Sequence, residues 1–402
     1  MIRGTKYIQI GIAALVALAF SVSASAANYN SRYGPVLWKD LPLRGSVSKV
    51  IWVGSWWPYT KNGVAWRHRG DSIPSPAELF DEFMGNKDKI DLDLAKTYYE
   101  MVEKDLSPKQ KRIQELVPTL NRMIERGETW QDTDEGKEYT TLRTEIDEAK
   151  KNLPTVPTES ATMWEIIHSG RGVIGVGGWW GHCNAWSAAA IMDLEPRKNA
   201  VVNGVTFTPG DIKALLTEAW MEQSSSFFGT RNEYHGDEEA RSKIDFRDVT
   251  PAAFHIFITD QIGNKDKSFV IDRFTGSEVW NQPMKAYRVT EVKKLYTDDT
   301  AVEKDLIVTE YDQWTGKATE STLQKQNVFP IQVTTTFHWV TDGLPPETLT
   351  ADQDLTEVPD DGFSDSYTVS RLTDDQIDVR TLTYTLYLTK PLEDPAAEVV
   401  GD

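Results

Sequence analysis

The sequence predicts an α+β protein on three observations. Residues 91–155 are charged and helically patterned, a glycine turn runs into a small-residue helix near residue 183, and apolar residues alternate with period two after residue 250. The chain has 402 residues, long enough for more than one domain. It carries 43 Lys and Arg against 61 Asp and Glu, a formal charge of −18. Nucleic acid and anionic lipid are therefore excluded as partners, because no basic run offsets that field. A mean hydropathy of −0.45 excludes a multi-span membrane protein.

Five stretches are expected. Residues 1–26 read as a cleaved signal peptide: Arg3 and Lys6 start it, Ile8 to Phe20 form its apolar run, and Ala24-Ser25-Ala26 supplies small residues at the cleavage point. That run is too short to span a bilayer, so no integral span remains after cleavage, and the product is secreted, periplasmic or held in the cell envelope. Residues 27–90 form an aromatic-rich wrapper with Trp52, Trp56, Trp57 and Trp66. Residues 91–155 form an inserted helical hairpin. Ser107-Pro108-Lys109-Gln110 is read as its first helix start, Ile113, Leu116, Val117 and Leu120 share a face, and Pro118 is a kink. Residues 156–300 form the core that carries the chemistry, and 301–402 are rich in strands.

Within that core, Thr208-Pro209-Gly210-Asp211 predicts a capped helix start. Phe254/Ile256/Ile258, Phe269/Ile271 and Leu382/Tyr384/Leu386/Leu388 are read as alternating strands. An acidic loop over Asp352–Asp365 contains Asp352, Asp354, Glu357, Asp360, Asp361 and Asp365. It lacks the spacing and glycine of an EF-hand, so metal binding, calcium included, stays undecided.

Cys183 is the only cysteine, and no intramolecular disulfide can form. It follows Gly177-Gly178-Trp179-Trp180-Gly181-His182 and opens an Ala-rich helix. A thiol at a helix start meets free backbone N–H groups and the positive end of the helix dipole, which favour thiolate and can hold an oxyanion. Cys183 is accordingly the candidate nucleophile. It needs a base, and the base an orienting group. Of six histidines, His255 and His338 fall in predicted strands, whereas His235 sits in a charged loop. A hairpin centred between Gly263 and Asn264 would pair His255 with Asp272 on one face, so His255 is the preferred base and His338 the reserve.

The order Cys on a helix, then His and Asp on antiparallel strands, resembles the papain-like superfamily, and Gly181-His182-Cys183-Asn184-Ala185-Trp186-Ser187 resembles its nucleophile signature, closest to transglutaminases. Val279-Trp280-Asn281-Gln282-Pro283 reproduces the start of the peptide VWNQPVRGFKV of the transglutaminase elicitor family, the Phytophthora cell-wall transglutaminases. The match lapses over Met284 to Arg288 and returns at Val289.

This resemblance implies a papain-like core, with a nucleophile helix packed on antiparallel sheet. It implies Cys183 as nucleophile, His255 as base and Asp272 as orienter. Gly177, Trp179 and Trp180 become candidates for oxyanion binding or acyl shielding. The implied activity is that of a protein-glutamine gamma-glutamyltransferase: a Cys thioester with protein glutamine, ammonia release, and isopeptide formation with lysine or another amine, requiring no cofactor. Two alternatives stay open. One is a cysteine peptidase, amidase or deamidase using the same triad; the other is an idle envelope or host-interaction protein.

Overall fold

The computed structural model describes residues 36–225, 249–274, 278–311, 318–342 and 377–400. The signal-peptide reading, His235 and the acidic loop at Asp352–Asp365 lie outside them. Helices dominate the first half: α1 (Pro76–Met84), α2 (Leu92–Met101), α3 (Ser107–Glu125), α4 (Asp134–Lys150), α5 (Ala161–His168), α6 (Cys183–Met192) and α7 (Pro209–Ala219), followed by α8 (Pro251–Ile258). The strands are β1 (Arg44–Ser46), β2 (Ala200–Val202), β3 (Val205–Phe207), β4 (Val270–Asp272), β5 (Asn281–Lys294), β6 (Val302–Tyr311), β7 (Ala318–Val340), β8 (Ile377–Leu388) and β9 (Val399–Val400). Among the described residues, β2 and β3 form a small hairpin. The others form one antiparallel sheet of order β1-β5-β7-β8-β9, with β4 beside β5 and β6 beside β7.

Local chemistry sets the helix ends. Thr208 and Asp211 form a reciprocal capping box on α7, with Pro209 at the first turn. Ser107 does not cap α3 as the sequence suggested. The helix runs through from α2 by a π-helical stretch, Val102–Leu106, and the Ser107 N–H bonds back to the Val102 carbonyl. Pro108 has no N–H to give and its ring crowds the preceding turn, which a widened turn relieves. The Ser107 hydroxyl instead accepts from the Gly175 N–H at 3.0 Å. Leu106, Ile113 and Ile146 bury the seam between α3 and α4.

The start of α5 is held from outside. Asp81 of α1, fully buried, accepts from the Ser160 hydroxyl at 2.6 Å and from the Ala161 and Thr162 N–H groups at 2.7 and 2.9 Å. Removing that carboxylate leaves buried donors unpaired. Asp81→Ala is therefore expected to lower the unfolding free energy by about 3 kcal/mol. Guanidinium titration checks this; a loss under about 1 kcal/mol would mean water replaces the carboxylate.

The sheet carries helices on both faces. Ile331, Val333, Phe337 and Trp339 of β7 pack with Ala252, Ala253, Ile256 and Ile258 of α8. Val340, of opposite parity on the strand, packs with Trp186, Ala189 and Ala190 of α6 and with Ile51, Trp52 and Val53. Neighbouring strand residues point to opposite faces, so α6 and α8 lie on opposite sides of this end of the sheet.

Residues 251–258 are thus a helix, correcting the predicted strand at Phe254–Ile258. Thr250 caps it through the Ala253 N–H, and Pro251 supplies a pre-set first turn. Most of the helix is buried, and a short apolar run buried all round has no period that separates helix from strand. The expected hairpin turn at Gly263-Asn264 is a π-helical continuation, Thr259–Asn264.

Candidate active site

The Cys183 site is assembled where the start of α6 meets the start of β5. Gly181 permits the approach that begins α6: a Cβ there would lie 2.4 Å from the Trp56 carbonyl oxygen, which accepts from the His182 N–H at 2.6 Å. His182 takes the N-cap position without a side-chain cap, leaving the first-turn N–H groups near Cys183 free for other partners. Cys183 is 5% exposed. Its thiol donates to the Val279 carbonyl, Sγ to O 3.7 Å, and Sγ accepts from Asn281 Nδ2 at 3.6 Å.

Burial pushes the Cys183 thiol above its ordinary range. The backbone N–H and side-chain amide of Asn281 and the N–H of Asn184 pull the other way, and the charge of Asp342 adds to the upward push. This corrects the expectation of a lowered pKa: the helix start does stabilise thiolate, but desolvation of a nearly closed site outweighs it.

The Val279–Pro283 run forms the wall facing this thiol. Trp280 packs edge-on against Trp56, ring centroids 5.3 Å apart, and Arg273 lies over its ring. Asp272 pairs with Asn281 across β4 and β5, and its Oδ1 accepts from the Phe274 N–H and from the Trp280 N–H at 2.8 Å. Asp272 therefore holds Trp280, the residue between the two that reach the sulfur, Val279 and Asn281. Gln282 is buried and donates through Nε2 to Asp342 Oδ1 at 3.0 Å. Asp342 follows the end of β7, and burial pushes its carboxyl up; Oδ2 is buried and accepts no hydrogen bond from a described residue. Asn281 as a neighbour of the thiol, and the Gln282–Asp342 pair next to it, escaped the sequence reading, although Asn281 and Gln282 were singled out as a motif.

His255 is placed elsewhere. It lies on α8, its Nδ1 is 2.8 Å from the Tyr384 hydroxyl, and its ring stacks on Trp38. Its expected pairing with Asp272 does not form, because His255 is helical and β4 pairs with β5 instead. The sheet separates α8 from α6, so the sequence-derived triad of Cys183, His255 and Asp272 is not brought together. His338 sits on β7 opposite Ala286 and Val379, on the face shared with Val340. Trp179 and Trp180 are half-buried and meet edge-on at 6.2 Å. Gly177 lies under Trp180, where a Cβ would come within 2.8 Å of the indole.

No helix among the described residues is long and apolar enough to cross a membrane. Comparison with curated proteins gives no match. The crystal structure of the GP42 transglutaminase from Phytophthora sojae aligns with a TM-score of 0.48 and 19% sequence identity, covering 91% of this chain and 81% of that one. The family model described as transglutaminase elicitor matches residues 164–356. The resemblance to the transglutaminase elicitor family thus extends over 164–356, the span that contains Cys183, Asp272, the Val279–Pro283 run and Asp342.

Proposed function

We propose that this chain is a transglutaminase-like acyltransferase in which Cys183 attacks a protein glutamine. The observation that carries the reading is a lone thiol at a helix start, held between the Val279 carbonyl and the Asn281 amide, with the Asp342 carboxylate bonded to the adjacent Gln282 and its second oxygen open. The family match over 164–356 supports the same chemistry. A nucleophile helix packed on antiparallel sheet also fits a papain-like core, and the signal-like sequence pattern over 1–26 supports a reading of export.

Asp342 replaces His255 as the acid–base group in this reading. As Sγ attacks the glutamine side-chain amide carbon, the thiol proton passes to Asp342 Oδ2. The Asn281 amide and the Asn184 N–H hold the developing oxyanion. Collapse to the thioester breaks the C–N bond, and Asp342 returns its proton to the leaving nitrogen, giving ammonia. An incoming lysine amine then loses its proton to Asp342 and forms the isopeptide, regenerating the thiol. This chemistry needs no cofactor. Asp272 is a positioning residue, since it acts through Trp280 and Asn281, to which it is bonded and paired.

The direct test is incorporation of a fluorescent primary amine into a glutamine-rich protein, with ammonia release followed in parallel. Ammonia release without amine incorporation at saturating amine would replace the reading with a hydrolase. Asn281→Ala and Asp342→Asn are each expected to lower kcat/KM by about a hundredfold. The Asp342 change should also remove the acidic limb of the pH profile, which burial places above the ordinary carboxylate range. An unchanged limb would remove Asp342 from the mechanism.

A further inference from the structure

We propose that Glu165, His182 and Glu218 form a binding site for one divalent transition-metal cation of the zinc class, separate from the Cys183 sulfur. The three side chains come from α5, the residue before α6, and α7. Their ligand atoms all lie within 4.8 Å of one another, with His182 Nε2 3.2 Å from Glu165 Oε1 and 3.0 Å from Glu218 Oε2.

The tautomer suits a metal ligand. His182 Nδ1 is 3.0 Å from the Trp57 carbonyl oxygen, which can only accept, so Nδ1 carries a proton and Nε2 is turned towards the two carboxylates. Nε2 lies at ion-pair distance from both carboxylates, which outweigh burial and raise the imidazole pKa in the absence of a metal, but it is poorly aligned for a hydrogen bond to either. Glu165 Oε1, the nearer oxygen of that residue, accepts from the Val64 N–H, while Glu165 Oε2 and Glu218 Oε2 are buried without a hydrogen-bond partner. Bonds of about 2.0–2.2 Å at near-tetrahedral or right angles put ligand atoms about 2.9–3.4 Å apart, a range that includes the two distances from His182 Nε2, while the two carboxylates lie within 4.8 Å of each other.

The surroundings complete the argument. The Trp57 carbonyl orients the imidazole, and the Val64 N–H orients Glu165 through Oε1 at 2.9 Å, the outer contacts that metal ligands require. His182 and Glu165 side chains are 0% and 1% exposed, whereas Glu218 is 27% exposed, so ion and water enter from its side. Two carboxylates and one imidazole match zinc or manganese. Calcium prefers six to eight oxygens and fits this donor set poorly. A bound ion would tie α5 and α7 to the residue that begins the nucleophile helix.

The full chain is stripped with a chelator, exposed separately to zinc, manganese or calcium chloride, desalted and assayed for metal content and melting temperature. About one zinc or manganese per chain is expected, with a higher melting temperature. Glu218→Gln, at the open edge of the site, should weaken zinc binding at least about tenfold, and Glu165→Gln likewise. Cys183→Ser should bind as wild type. Three results would overturn the proposal. One is no retained metal and no thermal shift, the behaviour of an imidazolium held by two carboxylates. The second is uptake lost in Cys183→Ser but kept in Glu218→Gln, and the third is preferential uptake of calcium.

Discussion

Cys183→Ala is expected to lower amine incorporation at least about a thousandfold while leaving the fold intact. The loss is large because the thioester cannot form without Sγ, and neither Asn281 nor Asp342 has a reacting atom left to act on. The fold should survive because the site is polar on the side the sulfur faces: the thiol's partners are the Val279 carbonyl and the Asn281 amide, while α6 keeps Trp186, Ala189 and Ala190 in the core. Deleting one small buried sulfur should cost about 1–2 kcal/mol, too little to unfold a chain of this size. Differential scanning calorimetry and the amine assay together decide it. Full activity in Cys183→Ala would sink the thioester, and collapse of folding would make Cys183 a packing residue.

Acid should destabilise the protein through its buried imidazoles, His255 above all. Burial holds His255 down to about 4, and also holds His68 and His338 down to about 4, with Arg69 adding to the effect at His68. Above the unfolded value of about 6.5 these groups are neutral in both states, and their contribution to stability is fully present. As pH falls from there, the unfolded chain takes up protons that the folded chain refuses, and stability is lost until the folded groups titrate near 4. For His255 alone the loss reaches about 3 kcal/mol across that window. His255→Phe keeps the stacking surface against Trp38, and Tyr384 keeps its bond to Thr335 at 2.8 Å. Its unfolding free energy should fall less steeply between pH 6 and 4.5, by about 1.4 kcal/mol per pH unit relative to wild type. Parallel slopes would show that His255 ionises freely in the folded state. Because the sheet lies between His255 and Cys183, any activity lost in this variant at neutral pH should follow stability rather than chemistry.

Local rules in the sequence determined much of this protein. Thr208-Pro209-Gly210-Asp211 specifies its own helix start, since the capping contacts lie within four residues. The 3.6-residue spacing of Ile113, Leu116 and Leu120, and the alternation of Tyr384, Leu386 and Leu388, each describe one buried face, so helix α3 and strand β8 could be read directly. The glycine run before Cys183 marked the nucleophile candidate because a lone thiol at a helix start is a local arrangement too.

Tertiary structure decided what local pattern leaves degenerate. The apolar run at Ala252–Ile258 is buried against the sheet, so its hydrophobicity fits helix or strand alike, and the choice of helix moved His255 to the far face and dissolved the expected triad. Asp342 is sixty positions beyond Gln282 in the chain, and the pairing of β5 with β7 brings it to Gln282, next to the Asn281 that touches the sulfur. Glu165, His182 and Glu218 converge because Met163 and Ile166 of α5 share an apolar cluster with Ala214 of α7, and α7 packs on α6, which follows His182; this is a long-range coincidence with no period or spacing to announce it. The sequence by itself therefore determined which residue could be the nucleophile. Which groups surround that thiol, and the upward direction in which its pKa is shifted, were decided by burial and strand pairing across the chain.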